Sequence, residues 1–169
     1  GTSVADSWGR GVYLRHCAPC HGASGDGEGP QARYLTVKPR DFTRGALHFK
    51  GGPAGAPATQ ADYERTIRRG VPSTSMPAWD GVLSDEQLRA VAAYARSFAP
   101  PSGEVAVALP LPAEVPAASP ESEARGRAAF LLVGCWACHG VEARGDGPAT
   151  ASPMIRPGDF TRGDFRSGG

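Results

Sequence analysis

Two copies of Cys-x-x-Cys-His limit what this chain can fold around: Cys17-Ala18-Pro19-Cys20-His21 and Cys135-Trp136-Ala137-Cys138-His139. They use all four cysteines and two of the four histidines. The pattern is the attachment signal for c-type haem, in which two thioethers hold the macrocycle and the adjacent histidine binds iron. Cys17, Cys20, Cys135 and Cys138 are therefore the candidate haem-binding residues, with His21 and His139 as proximal iron ligands. The expected cofactors are two covalently bound haem c groups. Two disulfides, a zinc site of four cysteines and a thioredoxin-like dithiol are the rival readings. None of them explains why a histidine follows the second cysteine both times.

The chain has 169 residues, of which 23 are glycine and 16 proline, a balance that favours long loops over continuous helix. Its 40% hydrophobic content is that of a globular protein, and haem would add a large apolar body for a short chain to pack around. Eighteen basic and 17 acidic side chains give a formal charge of +1, which haem propionates would turn slightly negative. No basic block resembles a nucleic-acid-binding arm. No apolar run approaches the about 20 residues of a membrane span. Gly1-Thr2 is not a signal peptide, yet c-type haem is attached outside the cytoplasm. The expectation is an exported, periplasmic protein whose leader, or a membrane tether, lies upstream of Gly1.

Periodicity predicts an all-α, loop-rich fold. A first helix is expected over Val4 to His16, with Val4, Trp8, Val12 and Tyr13 on its buried side, Ser3 as N-cap and Asp6 at N3. Gly22 to Pro30 reads as loop. A second helix is expected from Gln60 to Arg69, capped by Thr59 and ended by Gly70, with Tyr63 and Ile67 on one face. The strongest signal covers Asp85 to Phe98, where Ser84 and Gln87 form a capping box and Leu83 with Leu88 a hydrophobic staple. Leu88, Val91, Ala92 and Ala95 make its apolar stripe, and the two alanines leave room for another helix. Prolines at 100, 101, 110, 112, 116 and 120 then predict a stiff, extended connector. Ser119-Pro120 opens a further helix that runs through Ala129, Phe130, Leu132 and Val133 into the second motif.

The repeat extends beyond the motifs. In the same register Gly27 matches Gly145, Gly29 matches Gly147, Pro30 matches Pro148 and Pro39 matches Pro157. Asp41-Phe42-Thr43-Arg44-Gly45 returns as Asp159-Phe160-Thr161-Arg162-Gly163. This is a duplicated haem-binding domain. The expected organisation is a complete domain over 1–99, a Pro/Ala-rich linker over 100–120 and a partial second copy over 121–169. Counterparts of the helices at 60–69 and 85–98 are not found after the second motif. The second copy is therefore expected to expose one haem face and part of its core, with a C-terminal portion missing from this sequence or lost to processing, or with its haem completed by a partner or a symmetry mate.

Each proximal histidine needs an acceptor for its other ring nitrogen, and a backbone carbonyl near Pro30, or near Pro148, is the candidate. Met76, between Pro72 and Pro77 in a loop joining two helices, is the candidate sixth ligand and third metal-binding residue. Trp79 is expected to cover the haem edge, bind a propionate or simply pack. For the second iron, Met154 aligns with Thr36 rather than Met76, so an open, water-bound or partner-bound site is expected. His16 is placed at a helix end, facing solvent or capping it, and His48 in a loop, neither as ligand. Arg33, Lys38, Arg40 and Arg44 are a candidate docking patch or propionate site.

These features resemble class I cytochromes c, specifically tandem dihaem forms of bacterial periplasms. The resemblance rests on Cys-x-x-Cys-His-Gly at 17–22 and 135–140, Gly-Asp-Gly-x-Gly-Pro at 25–30 and Pro-Arg-Asp-Phe-Thr at 39–43. Met-Pro-Ala-Trp at 76–79 and Leu-Ser-Asp-Glu-Gln at 83–87 add to it. It implies crossing first and last helices, Met76 as ligand and a proline carbonyl as the acceptor for histidine. The function expected is one-electron transfer between periplasmic redox proteins that dock at exposed haem edges, with no catalytic residues. The alternatives are a subunit through which electrons reach a membrane-associated respiratory oxidoreductase, and a dihaem enzyme of the peroxidase type.

Overall fold

In the computed structural model, described for residues 4–45, 47, 49–53, 56–72, 74–101, 108–110, 114, 117–150 and 157–163, every regular element is helical. The α-helices are α1 (Val4–His16), α2 (Ala18–His21), α3 (Gln60–Arg69), α4 (Asp85–Arg96), α5 (Pro120–Val133) and α6 (Trp136–His139). Short 3₁₀ turns cover Ala32–Tyr34, Phe42–Arg44 and Phe160–Arg162. The chain divides into two units, Gly1–Leu109 and Pro110–Gly169.

The first unit is built on the crossing of α1 and α4. The helices touch at Gly9, where a Cβ would stand 2.3 Å from the Ala90 carbonyl oxygen. The stripe of α1 accordingly runs through Gly9, Val12 and Tyr13, one helical turn on a single face. Trp8, expected on the buried side, is instead 44% exposed. An indole cannot enter a contact that excludes even a methyl group, so it lies on the flank. On α4, Leu88, Val91, Ala92 and Ala95 are all buried, and Leu83 joins them across the helix start. The capping box is formed: the Gln87 amide donates to Ser84 Oγ at 3.2 Å and the Ser84 amide to Gln87 Oε1 at 2.9 Å. Ser3, His48 and the side chains of Val4 and Asp6 lie outside the described residues.

Helix α3 brings Tyr63 and Ile67 to the same core, and its start carries the buried carboxylate of Asp62, 2% exposed. Asp62 accepts from the Thr59 amide at 2.9 Å, the Thr59 hydroxyl at 2.8 Å, the Gly51 amide at 2.9 Å and the Arg65 guanidinium at 2.6 Å. Burial pushes this carboxyl up, but the donors outweigh it and hold it below its ordinary value of 3.8. Asp62→Asn turns an NH₂ group toward donors and should cost about 2 kcal/mol at neutral pH. A depressed folded pKa gives stability that is full above the unfolded value and is lost as pH falls through the folded one. Urea titrations should therefore show the gap between wild type and variant narrowing below about pH 4. Through Gly51 this corner also holds Leu109, whose amide donates to the Gly51 carbonyl at 2.7 Å.

In the second unit, Ser119 caps α5 with Ser122 as its capping-box partner, and Gly134 at φ +86° ends the helix. Helix α5 buries no residue; Leu131, Leu132 and Val133 are 41%, 89% and 77% exposed. In the repeat register Leu131 matches Tyr13, which is fully buried. Gly25 of the first unit likewise matches Ala143, which adopts φ +56°. The strain is retained because the Ala143 carbonyl accepts from the Phe160 amide, as the Gly25 carbonyl does from Phe42. Ala143→Gly should stabilise the second unit by about 0.5–1 kcal/mol, read as a higher urea midpoint.

Candidate functional site

The first Cys-x-x-Cys-His forms a single turn continuing from α1. The Cys17 amide donates to the Tyr13 carbonyl at 2.8 Å and the His21 amide to the Cys17 carbonyl at 2.8 Å. This puts both sulfurs and the imidazole on one tight scaffold. The glycine-rich loop then runs back along the turn. Gly27 donates to His21 O at 2.9 Å, Gly29 to Cys20 O at 3.1 Å and Gln31 to Pro19 O at 2.8 Å, so the carbonyls of the short helix are satisfied. Gly29 must be glycine, since a Cβ there would lie 2.5 Å from the carbonyl oxygens of Ala18 and Pro19.

The chain next crosses the imidazole. The Phe42 amide donates to Gly25 O at 2.7 Å, and Asp41 caps the following 3₁₀ turn through the Thr43 amide at 2.9 Å. Together they bring the Arg40 carbonyl to 3.0 Å from His21 Nδ1, and stack the Phe42 ring on the imidazole at 4.7 Å and 17°. The acceptor is therefore the Arg40 carbonyl, not one near Pro30, and in the second copy the Gly158 carbonyl, not one near Pro148. The amides that follow Gly27 are occupied on the cysteine turn, so the loop near Pro30 lies against α2. It is the later Pro39–Asp41 segment that returns over the ring: a Cβ on Gly27 would meet the Pro39 carbonyl oxygen at 2.9 Å.

The second copy repeats this wiring. Gly145 donates to His139 O at 2.8 Å, Gly147 to Cys138 O at 3.1 Å and Ala149 to Ala137 O at 2.8 Å. His139 Nδ1 lies 3.1 Å from the Gly158 carbonyl, and Phe160 stacks on the ring at 4.3 Å and 29°. The surroundings differ. His21 is 8% exposed and Phe42 is backed by Tyr63 at 6.0 Å, whereas Phe160 is 40% exposed.

Electrostatics suit a neutral ligand. Burial lowers the His21 pKa, against the opposing bond to Arg40 O, so the ring is uncharged at neutral pH. With Nδ1 donating to a carbonyl, Nε2 keeps its lone pair for a metal. Burial, then the neighbouring Cys20, pushes the Cys17 thiol up to about 12. That sulfur sits against the apolar core, a setting suited to a neutral thioether. The residues present fit covalent haem: two cysteines and the histidine share one turn, and the Nδ1 bond to Arg40 O leaves Nε2 for iron.

Met76 is half-buried against the same core as Cys17 and Trp79. Its loop closes on itself: the Val71 amide donates to Met76 O at 3.0 Å, and the Met76 amide to Thr74 Oγ1 at 3.1 Å. Gly70, at φ +67°, lets the returning strand of the loop pass, since a Cβ would lie 2.6 Å from the Ala78 nitrogen. Trp79 packs edge-on against His16 at 5.2 Å. His16, at the end of α1 as expected, thus lines a groove of about 460 Å³ with Trp8, Val12, Arg15, Val82 and Leu83. Of the four basic residues read as a patch, Lys38 binds Ala32 O at 2.9 Å, Arg44 pairs with Asp41 at 3.0 Å and Arg33 lies over the Tyr34 ring at 4.7 Å. Met154 lies outside the described residues.

Sequence reasoning put Tyr13 on the buried side of α1 but found no partner for its hydroxyl, and gave Phe42 and Phe160 no role. Tyr13, fully buried, donates its hydroxyl to Gly22 O at 2.8 Å and packs with Tyr94 and Phe98 at 5.3 and 5.2 Å. The role of Phe42 and Phe160 was signalled only by their place in the repeated Asp-Phe-Thr-Arg-Gly.

An all-α scaffold carrying two wired Cys-x-x-Cys-His turns defines a tandem cytochrome c-like protein. Residues 5–94 match the family model described as "Cytochrome C oxidase, cbb3-type, subunit III", and the chain belongs to that family. It is also similar to a chain of the reducing HAO-like protein complex of Kuenenia stuttgartiensis, with 38% identity and a TM-score of 0.77. That match covers 95% of this chain and 76% of the other, so it takes in both units. No curated protein matches. No helix among the described residues is long and apolar enough to cross a membrane.

Proposed function

We propose that the chain is a dihaem electron-transfer subunit of an exported oxidoreductase complex. The observation that carries this is the twice-built proximal half-site, in which each motif histidine gives Nδ1 to a carbonyl 19 residues on and stacks on a phenylalanine. Cys17 and Cys20 would hold one haem and Cys135 and Cys138 the other, with His21 and Met76 as ligands to the first iron and His139 as ligand to the second. Bound haem supplies a one-electron iron couple that requires no substrate at the metal. The chain's part is to exclude water from His21, fix its ring plane and hold the Met76 loop.

Membership in a family of oxidase subunits, and similarity to a chain from a protein complex, favour a resident subunit over a free shuttle. The sequence read alone puts the shuttle first. In the proposed organisation a complete class I domain over 1–99 is joined by the 100–120 linker to a second copy over 121–169, in the periplasm. Partners would be redox proteins meeting exposed haem edges.

The test is expression with the cytochrome maturation machinery, followed by haem quantification and EPR during stepwise reduction. Two haems per chain are expected, one of them low-spin with methionine ligation. Substoichiometric, non-covalent haem would overturn the proposal, and rapid peroxide turnover would move the peroxidase reading ahead of it.

A further inference from the structure

The Met76 loop is closed just past Trp79 by a charge arrangement that the ligand set does not use. Arg68, near the end of α3, reaches Asp80 at 2.8 Å with one guanidinium nitrogen and Asp85 at 2.7 Å with the other. Asp80 lies just past Trp79 in the 70–84 segment between the helices, and Asp85 is the first residue of α4. The backbone adds to the closure: the Asp80 amide donates to Arg68 O at 3.1 Å, and the Trp79 amide to the Ile67 and Arg68 carbonyls at 3.2 Å. The Arg68 guanidinium holds the Asp85 carboxyl below its ordinary value. One side chain therefore joins the three segments whose arrangement decides where Met76 lies: α3, the 70–84 segment and α4.

We propose that Arg68 is a positioning residue for Met76, clamping the loop through Asp80 and Asp85 so that the thioether stays on iron. This rests on the reading of Met76 as sixth ligand. Arg68 touches neither the methionine nor the haem site; it acts on the open–closed equilibrium of the loop. A forked guanidinium can serve two carboxylates at once, and an ammonium on a longer flexible stem serves them less well. The pairs are partly solvent-exposed, at 37% for Arg68 against 65% and 68% for the aspartates, so their contribution should fall with salt.

The experiment uses the holo-protein in its ferric state. The sulfur-to-iron charge-transfer band reports Met76 ligation at the first haem, and imidazole is titrated until the band is lost. At low ionic strength Arg68→Met should lose the band at about fivefold lower imidazole than wild type, with Arg68→Lys in between. The wild-type midpoint should fall toward the variant's as salt is raised, while that of Arg68→Met stays flat. Asp80→Asn, an exposed substitution that leaves α3 and α4 intact, should shift the midpoint in the same direction by about half as much on a logarithmic scale. Identical midpoints and salt dependence for wild type, Arg68→Met and Asp80→Asn, with the band present in all, would overturn the proposal alone. A wild-type protein without the band would overturn both this proposal and the assignment of Met76.

Discussion

Gly29→Ala is expected to destabilise the first unit by about 3 kcal/mol, and Gly147→Ala to do the same to the second. Neither glycine is needed for an unusual φ; each is needed because the loop passes in direct contact with the backbone of the cysteine turn. A Cβ on Gly29 would lie 2.5 Å from the carbonyl oxygens of Ala18 and Pro19, and one on Gly147 would lie 2.4 Å from the Ala137 oxygen. Backbone cannot rotate away as a side-chain end can. The loop must lift, breaking the bonds from Gly29 to Cys20 and from Gln31 to Pro19, or from Gly147 to Cys138 and Ala149 to Ala137. Amide hydrogen exchange in the 18–31 segment should lose protection in Gly29→Ala, while the 137–149 segment keeps it, and the reverse should hold for Gly147→Ala. Unchanged urea midpoints in both variants would show that the loop has a second way of lying on the turn.

Met76→Ala should act on ligation far more than on folding. The loop bonds around it involve its backbone and Thr74, not its sulfur, so the variant loop keeps its closure. Removing a half-buried side chain should cost about 1–2 kcal/mol of stability. Loss of a thioether from iron should lower the first reduction potential by on the order of 0.1 V or more, because thioether sulfur favours the ferrous state. Spectroelectrochemistry that resolves the two haems should show one potential falling and the other unmoved. A first potential that stays in place in the variant would assign the sixth ligand elsewhere.

Much of the helical frame was readable from local signals. Thr59 and Gly70 bracket α3, and Ser84 with Gln87 opens α4, because a cap is decided by residues within one turn of it. The apolar stripe of α4 was equally plain, as spacing alone orients it. Trp8 was misplaced for a different reason. Hydrophobicity put it inside, but the helix crossing runs over Gly9, and contact distance rather than side-chain polarity chose the buried face.

The site divides along the same line. Residue types and their spacing determined the doubled Cys-x-x-Cys-His, the repeat that carries it and the recurrence of Asp-Phe-Thr-Arg-Gly downstream, since these are properties of order along the chain. Only tertiary structure decided which carbonyl meets each histidine. Arg40 and Gly158 have no side-chain feature in common that could announce the role. A carbonyl is common to every residue, so the choice among them falls to how the loop folds back, and here glycines at close backbone contacts determine that path.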